Sequence, residues 1–230
     1  MNKNIDRRSF LKSASAVAVG SGLAGLSEAS PLDSVGIPSV WDYVADFVVV
    51  GSGTSLTGAL KAVELGMSCI CIEAMPGPGG TTSMSGGAVW VPCNDLAEDD
   101  PVAAKTYMMK IADGLSTEAI IDAYIAEASN MANFIAETAG VIWGVAPRTD
   151  YHDRWEGSTI NTRTLRAIDP ETGEWLRGSG YTRPQAKTFV ELGGKFLFST
   201  AAERLIARLL DDGRQEVLGV TAKDRDGKTI

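Results

Sequence analysis

The sequence predicts an α/β chain of Rossmann-like type on three observations. Residues 46–73 read as strand, glycine turn, helix and strand, an acid closes the second strand, and a second run of glycines and small hydroxyl residues follows at once. Phe47 to Val50 form a continuous apolar run, as a strand covered on both faces requires. Gly51 and Gly53 flank Ser52 where the backbone must turn tightly against a phosphate. Leu56 to Leu65 reads as a helix whose N-terminus offers unbonded N–H groups and the positive end of its dipole to a pyrophosphate. Met67 to Ile72 make a second buried strand, and Glu73 stands 22 residues beyond Gly51, where an acid meets the hydroxyls of an adenosine ribose. The fingerprint has a third glycine where this chain has Leu56. A one-residue deletion accounts for it, with Gly58 partly compensating and a weakened hold on the nucleotide as the expected result.

Ahead of this unit lie a basic segment, MNKNIDRRSFLK, a short mildly apolar run from Ala14 to Leu26, and a small-residue end suited to cleavage after Ala29. Arg7 and Arg8, followed by Ser9, Phe10, Leu11 and Lys12, resemble a twin-arginine signal. The apolar run is short and rich in Gly and Ser, which favours cleavage over permanent anchoring. The expected organisation is therefore a signal peptide over 1–29, a linker over 30–44 and one domain over 45–230. The expected destination is the periplasm or cell envelope, with the twin-arginine export machinery as a partner.

After Glu73 and Ala74, Pro76 to Gly80 open a glycine-rich loop that continues through Thr81, Thr82, Ser83, Ser85, Gly86 and Gly87. Small residues with exposed amides suit a chain lying along a second phosphate and against a flat ring. The stretch GGTTSMSGGAVWVPCN, with Trp90, Pro92 and Asn94 at its end, resembles the flavoprotein family of fumarate reductases and 3-ketosteroid dehydrogenases, closest to the latter branch. The resemblance implies a Rossmann-like FAD-binding domain of the glutathione reductase type and FAD as cofactor. It implies that Gly51, Ser52, Gly53, Glu73 and Ala74 hold the adenosine diphosphate end, that Gly79, Gly80, Thr81 and Thr82 line the ribityl and pyrophosphate, and that Ser85, Gly86, Gly87 and Ala88 approach the isoalloxazine.

Pro101 to Asp113 and Thr117 to Ala139 read as two helices, the second capped by Ser116 or Thr117 with Glu118 in its first turn. Met108, Ile111, Ile120, Ile121, Tyr124, Ile125, Ala128, Met131 and Phe134 recur near helical spacing and are the expected core of this 101–140 segment. A turn-rich segment follows over 144–185. Its start resembles the Asp-Tyr-aromatic element that ketosteroid dehydrogenases place over the flavin, which makes Tyr151 the candidate catalytic residue. His152, the sole histidine, reads as a surface or hydrogen-bonded residue rather than a general acid or base. Arg148, Arg154, Arg163 and Arg166 are available to a substrate carboxylate, but on so acidic a chain they read as solvated or paired. From Lys195 the pattern is a strand, an apolar stretch through Leu205, Ile206, Leu209 and Leu210, and a hairpin turning at Asp226 and Gly227.

Charge and cysteine usage exclude several classes. The net charge of −8 becomes more negative once the leader's cations are removed, which argues against a nucleic-acid partner and against anionic membranes. Cys69 and Cys71 stand two apart on a strand, facing one way as small buried side chains, and Cys93 is alone. With a single histidine and no haem-attachment motif, no metal site is expected. The resemblance implies dehydrogenation or reduction of a carbon–carbon bond beside a carbonyl, acting on a steroid-like ketone or an unsaturated acid, with an external electron carrier. Family members continue past this pattern into a substrate domain that supplies acid, base and carbonyl-polarising groups, so the expectation is an FAD domain incomplete at its C-terminus, as a fragment or as a truncated, weakly binding remnant.

Overall fold

The computed structural model describes residues 37–230, so the leader and the first part of the linker lie outside the described residues. The described chain divides into two compact units, one running to Gly77 and resuming over Leu192–Ile230, the other comprising Pro78–Glu191.

The first unit is built on a three-stranded parallel sheet. Strands β1 (Phe47–Val50) and β2 (Cys69–Ile72) pair in register from Phe47 with Cys69 to Val50 with Ile72, and β6 (Lys195–Leu197) pairs on the far side of β2. Helix α1 (Leu56–Glu64) links β1 to β2 and presents Leu56, Ala59, Leu60, Ala62 and Val63 inward, all buried. Alternation along the strands puts Val49, Cys69 and Cys71 on one sheet face and Val48, Val50, Ile70 and Ile72 on the other. The second face is covered by a hairpin of β7 (Ala201–Leu209) and β8 (Gln215–Lys223), whose Ala202, Val220 and Ala222 pack on Ile70 and Ile72.

That cover stops short of β1. Val48 and Val50 are 44% and 53% exposed, which corrects the expectation of a strand buried on both faces. An apolar cavity of about 530 Å³ lies there, lined by Val48, Ile70, Leu197, Ile206 and Val220. The principal hairpin turn also differs from expectation. It falls at Leu210 to Arg214, with Gly213 at φ +80°, while Asp226 and Gly227 form a second, smaller turn.

In the second unit, α3 (Pro101–Ala112) and α4 (Glu118–Ala139) match the sequence reading. The Asp100 side chain caps α3 by accepting from Val102 N, Thr117 caps α4 by accepting from Ile120 N, and Gly140 ends α4 in the left-handed region. Strands β3 (Val89–Trp90), β4 (Trp143–Val145) and β5 (Thr164–Ala167) form an antiparallel sheet in the order β3-β5-β4. Ala128 and Ala132 of α4 pack against Val91 and Leu165 on it. Ile121, Ile125 and Ala128 are core as expected. Ile111, Ile120 and Tyr124 are instead 48%, 48% and 39% exposed, because they lie on helix faces turned from the α3–α4 seam of Ala104, Ile121 and Ile125.

The segment expected to be turn-rich carries β5 and the start of a further helix, α5 (Ser179–Glu191). This helix contains Pro184 and buries Thr182, Gln185, Ala186 and Phe189. Likewise the expected loop after Pro76 contains a five-residue helix, α2 (Gly80–Met84).

Candidate functional site

In the first unit the chain turns sharply after β1. Gly51 has φ +81° and donates its N–H to Ile72 O at 2.7 Å, tying the turn to the end of β2. Ser55 Oγ donates to Gly51 O at 2.5 Å from the cap position of α1 and leaves the helix without a side-chain cap. The N–H groups of Gly53, Thr54 and Ser55 therefore meet no acceptor among the described residues. A Cβ built on Gly51 would touch nothing within 4 Å. Free donors at a helix N-terminus, beside a glycine that faces open space, suit a close-lying phosphate.

Glu73 is nearly fully buried and does more than the sequence indicated. Ser52, itself buried, donates to Oε2 through its N–H at 2.8 Å and through its hydroxyl, while Met75 N donates to Oε1 at 2.8 Å. Burial pushes the Glu73 carboxyl up, but the Ser52 hydroxyl and the N–H groups of Met75, Ser52 and Ala74 outweigh it and hold it below the usual carboxylate range. The carboxylate clamps the first turn onto the strand end and keeps lone pairs for a ribose hydroxyl. Leu56 is fully buried where the fingerprint has its third glycine, and a Cβ on Gly58 would meet nothing, so Gly58 does not replace that close contact. Beneath the turn, burial pushes the thiol of Cys69 up to about 11 and that of Cys71 up to about 12, with the Glu73 and Cys69 charges adding to the latter.

In the second unit the glycines sort into two kinds. Gly79 and Gly80 have φ +102° and +45°, and Ser83 N donates to Gly79 O as α2 begins. A Cβ on Gly87 would lie 2.7 Å from the Arg177 carbonyl carbon, and one on Gly178 would lie 1.8 Å from Thr82 O, so these two are small because backbone crowds them. Gly178 N donates to Ser85 O and Gly87 N donates back to the Ser85 hydroxyl, which fixes the SGG stretch. Gly86 is exposed and meets nothing, so its smallness has no partner within the protein. Thr81, Ser85 and Ala88 are exposed as well. In the first unit, Gly51 and the N–H groups of Gly53, Thr54 and Ser55 suit the phosphate end of a dinucleotide; in the second, Gly86 by itself is open to a ligand.

Trp90 and Asn94, singled out in the sequence, are anchors. The Asn94 side chain donates to Val91 O and Thr162 O from a buried position. Trp90 Nε1 donates to Asp150 Oδ1 at 2.7 Å, Tyr124 donates its hydroxyl to Trp90 O, and the Trp90 ring lies 6.1 Å from both Tyr107 and Tyr124. Behind Asp150, Arg163 is paired, as the sequence reading allowed, but its full burial and its partners go beyond that reading. Arg163 is fully buried, bonds the Asp99 carboxylate through Nε and Nη2 at 2.8–3.0 Å, and bonds Asp150 and Gly157 O through Nη1 at 3.2 and 2.7 Å. Burial raises the Asp99 carboxyl, but its bonds with Arg163 lower it further, leaving it below the usual range. The partners are distant in sequence, and no local pattern marks them.

This network carries Tyr151, which is 93% exposed immediately after buried Asp150. Tyr151 and Ala88 line one cavity of about 280 Å³, floored by Trp90, Tyr107, Met108 and Ile111. The structure thus brings together the tyrosine expected at the reacting centre and the last residue expected beside the flavin ring. His152 is an exposed residue that stacks on Trp155 and donates its backbone N–H to the Tyr107 hydroxyl, in keeping with the surface reading. Among the described residues no His, Cys, Asp and Glu side chains group to hold a metal.

Residues 46–230 match the family described as FAD binding domain. The chain is 32% identical over 130 residues to a 3-oxosteroid 1-dehydrogenase of Comamonas testosteroni, covering 54% of this chain and 23% of that protein. It is 32% identical over 133 residues to a 4-oxocyclohexanecarboxylate 2-dehydrogenase of Sinomonas cyclohexanicum, covering 55% and 23%. The match thus spans about a quarter of each relative's length. In fold it resembles the crystal structure of a 3-ketosteroid Δ1-dehydrogenase from Sterolibacterium denitrificans, solved in complex with 1,4-androstadiene-3,17-dione, at a TM-score of 0.72 and 20% identity over 81% of this chain and 45% of that one. The chain belongs to the FAD binding domain family, and its cofactor is FAD.

Proposed function

We propose that this chain is the FAD-carrying part of an exported flavoprotein oxidoreductase that introduces or removes a carbon–carbon double bond beside a ring ketone. The observation that carries the reading is the shared cavity of Tyr151 and Ala88, a tyrosine hydroxyl beside the glycine-rich segment, above an aromatic floor. FAD, when bound, supplies a hydride acceptor at its N5. The chain's own residues do the rest of what this reading requires of them. Trp90, Tyr107, Met108 and Ile111 exclude water from one side of a flat ring. The exposed Tyr151 hydroxyl is free to donate a hydrogen bond to a ring carbonyl. The two relatives named above are dehydrogenases of ring ketones, one a steroid and one a cyclohexanone acid, which supports that substrate class.

The test is a titration of the FAD-loaded protein with ring ketones while the bound-flavin absorbance is followed, with Tyr151→Phe alongside. Ring ketones should perturb the spectrum, and Tyr151→Phe should weaken their binding about tenfold, the worth of one good hydrogen bond. A spectrum indifferent to every ring ketone in protein that holds FAD would overturn the reading.

A further inference from the structure

The cavity under Tyr151 has one charged feature that the ring-ketone reading does not use. Arg148 lines it, is exposed, and forms no ion pair among the described residues. The other arginines weighed for a carboxylate behave differently where the structure shows their bonds. Arg163 is buried between Asp99 and Asp150, and Arg166 donates to Leu176 O and lies over the Trp175 ring. Asp150 also lines the cavity, but its side chain is nearly buried and its carboxylate already accepts from Trp90 Nε1, Thr159 N and Arg163, so its oxygens are engaged within the protein. Arg148 is the exposed cation on a wall that is otherwise mostly aromatic and aliphatic. Its backbone is pinned, with its N–H donated to Ala146 O at 2.7 Å and its carbonyl accepting from Asn161 N at 2.8 Å, so the guanidinium is presented from a fixed base.

The cavity, of about 280 Å³, has room for one ring on its aromatic floor. Resting on the ring-ketone reading, we propose that this cavity takes a single-ring ketone bearing a carboxylate, with the ring on Trp90 and Tyr107 and the carboxylate gripped by Arg148. A guanidinium presents two parallel donors that match a carboxylate, which makes Arg148 a specificity-determining residue against neutral ketones of the same shape.

The experiment measures binding of 4-oxocyclohexanecarboxylate, its neutral methyl ester and a neutral 3-ketosteroid to the FAD-loaded protein by calorimetry, with Arg148→Gln and Arg148→Lys. The acid should bind about tenfold or more tightly than its ester, with an advantage that shrinks as salt rises. Arg148→Gln should bring the acid to the level of the ester and leave the ester unchanged, while Arg148→Lys should retain part of the preference. Arg148 is exposed, so both variants should keep the parent melting temperature and FAD stoichiometry. Acid and ester binding equally, or a steroid binding tighter than both irrespective of Arg148, would overturn this inference and leave the ring-ketone reading standing. Failure of all three ketones to bind would overturn both.

Discussion

Replacing Arg163 by Met should be the most damaging single change to the Pro78–Glu191 unit. Its side chain and that of Asp99 are completely buried and that of Asp150 nearly so. Methionine keeps most of the apolar stem but leaves two carboxylates without their cation and Gly157 O without its donor. Removing one partner of a buried pair costs about 3–5 kcal/mol. Here one cation serves two acids, so a loss at the upper end is expected, against about 5–15 kcal/mol for a whole domain.

The pH dependence supplies a second reading. In the parent protein Asp99 lies below its usual value, so its contribution is fully present above the unfolded value of 3.8 and is lost only as pH falls through the lower folded value. Without Arg163, burial is opposed only by the N–H groups of Cys93 and Asp100, so the carboxyl should rise and its shift should reverse where burial outweighs those two bonds. The stability of Arg163→Met should therefore fall as pH rises from 4 towards 7, across which the parent's Asp99 contribution is flat. Urea denaturation followed by tryptophan fluorescence measures both, since Trp90 bonds directly to Asp150. Adding Asp99→Asn should recover part of the loss. A single variant that loses less than about 1 kcal/mol, with the parent's pH profile, would refute the assignment of Arg163 as the buried counter-charge.

Gly86→Ala adds a Cβ that meets nothing, so stability should change by less than about 0.5 kcal/mol while FAD affinity falls at least tenfold; unchanged affinity would remove Gly86 from the cofactor's path. Gly178→Ala should instead destabilise the fold itself in a thermal melt, because its Cβ falls 1.8 Å from Thr82 O. The Cys69 and Cys71 thiols are raised from 9.0 to about 11 and 12, so their contribution is present below pH 9 and is lost as pH rises above it, by about 1.4 kcal/mol each at pH 10. Chemical denaturation at pH 8 and pH 10 should show this loss, and Cys71→Ala should remove about half of it. Changing Arg7 and Arg8 together to Lys should leave the protein in the cytoplasm, as cell fractionation would show; continued export would exclude the twin-arginine route.

The parts of the fold legible in the sequence are those whose signal is local. The run Phe47 to Val50, the glycines at 51 and 53 and the acid at 73 lie within one βαβ unit, and the caps Thr117 and Gly140 sit beside the helix they bound. Helix α5 escaped because Gly178, Gly180 and Pro184 argue locally for turns. The structure uses those residues otherwise. Gly178 lets the chain pass Thr82, Gly180 sits against Leu176, and buried Thr182, Gln185, Ala186 and Phe189 hold the helix in place. Both Asp-Gly pairs near the end are turns, and choosing between Gly213 and Gly227 for the main hairpin required the pairing partner of β7, which is not local information.

The same division runs through the candidate site. Glycine spacing marks where a phosphate and a ring can approach, but not which glycine serves the ligand. Gly87 and Gly178 are small because backbone crowds them, whereas Gly51 and Gly86 face open space, and only coordinates separate the two cases. The arginines make the point from the other direction. In sequence, Arg148 and Arg163 are equivalent candidates for a carboxylate on an acidic chain, each beside Thr and close to Asp150 or Asn161. Folding places one between two internal acids and the other, pinned by its own backbone, on the wall of an apolar cavity. The buried arginine orders the segment that presents Asp150 and Tyr151, whereas the exposed one lines the cavity and is the cation we propose reads a substrate's charge.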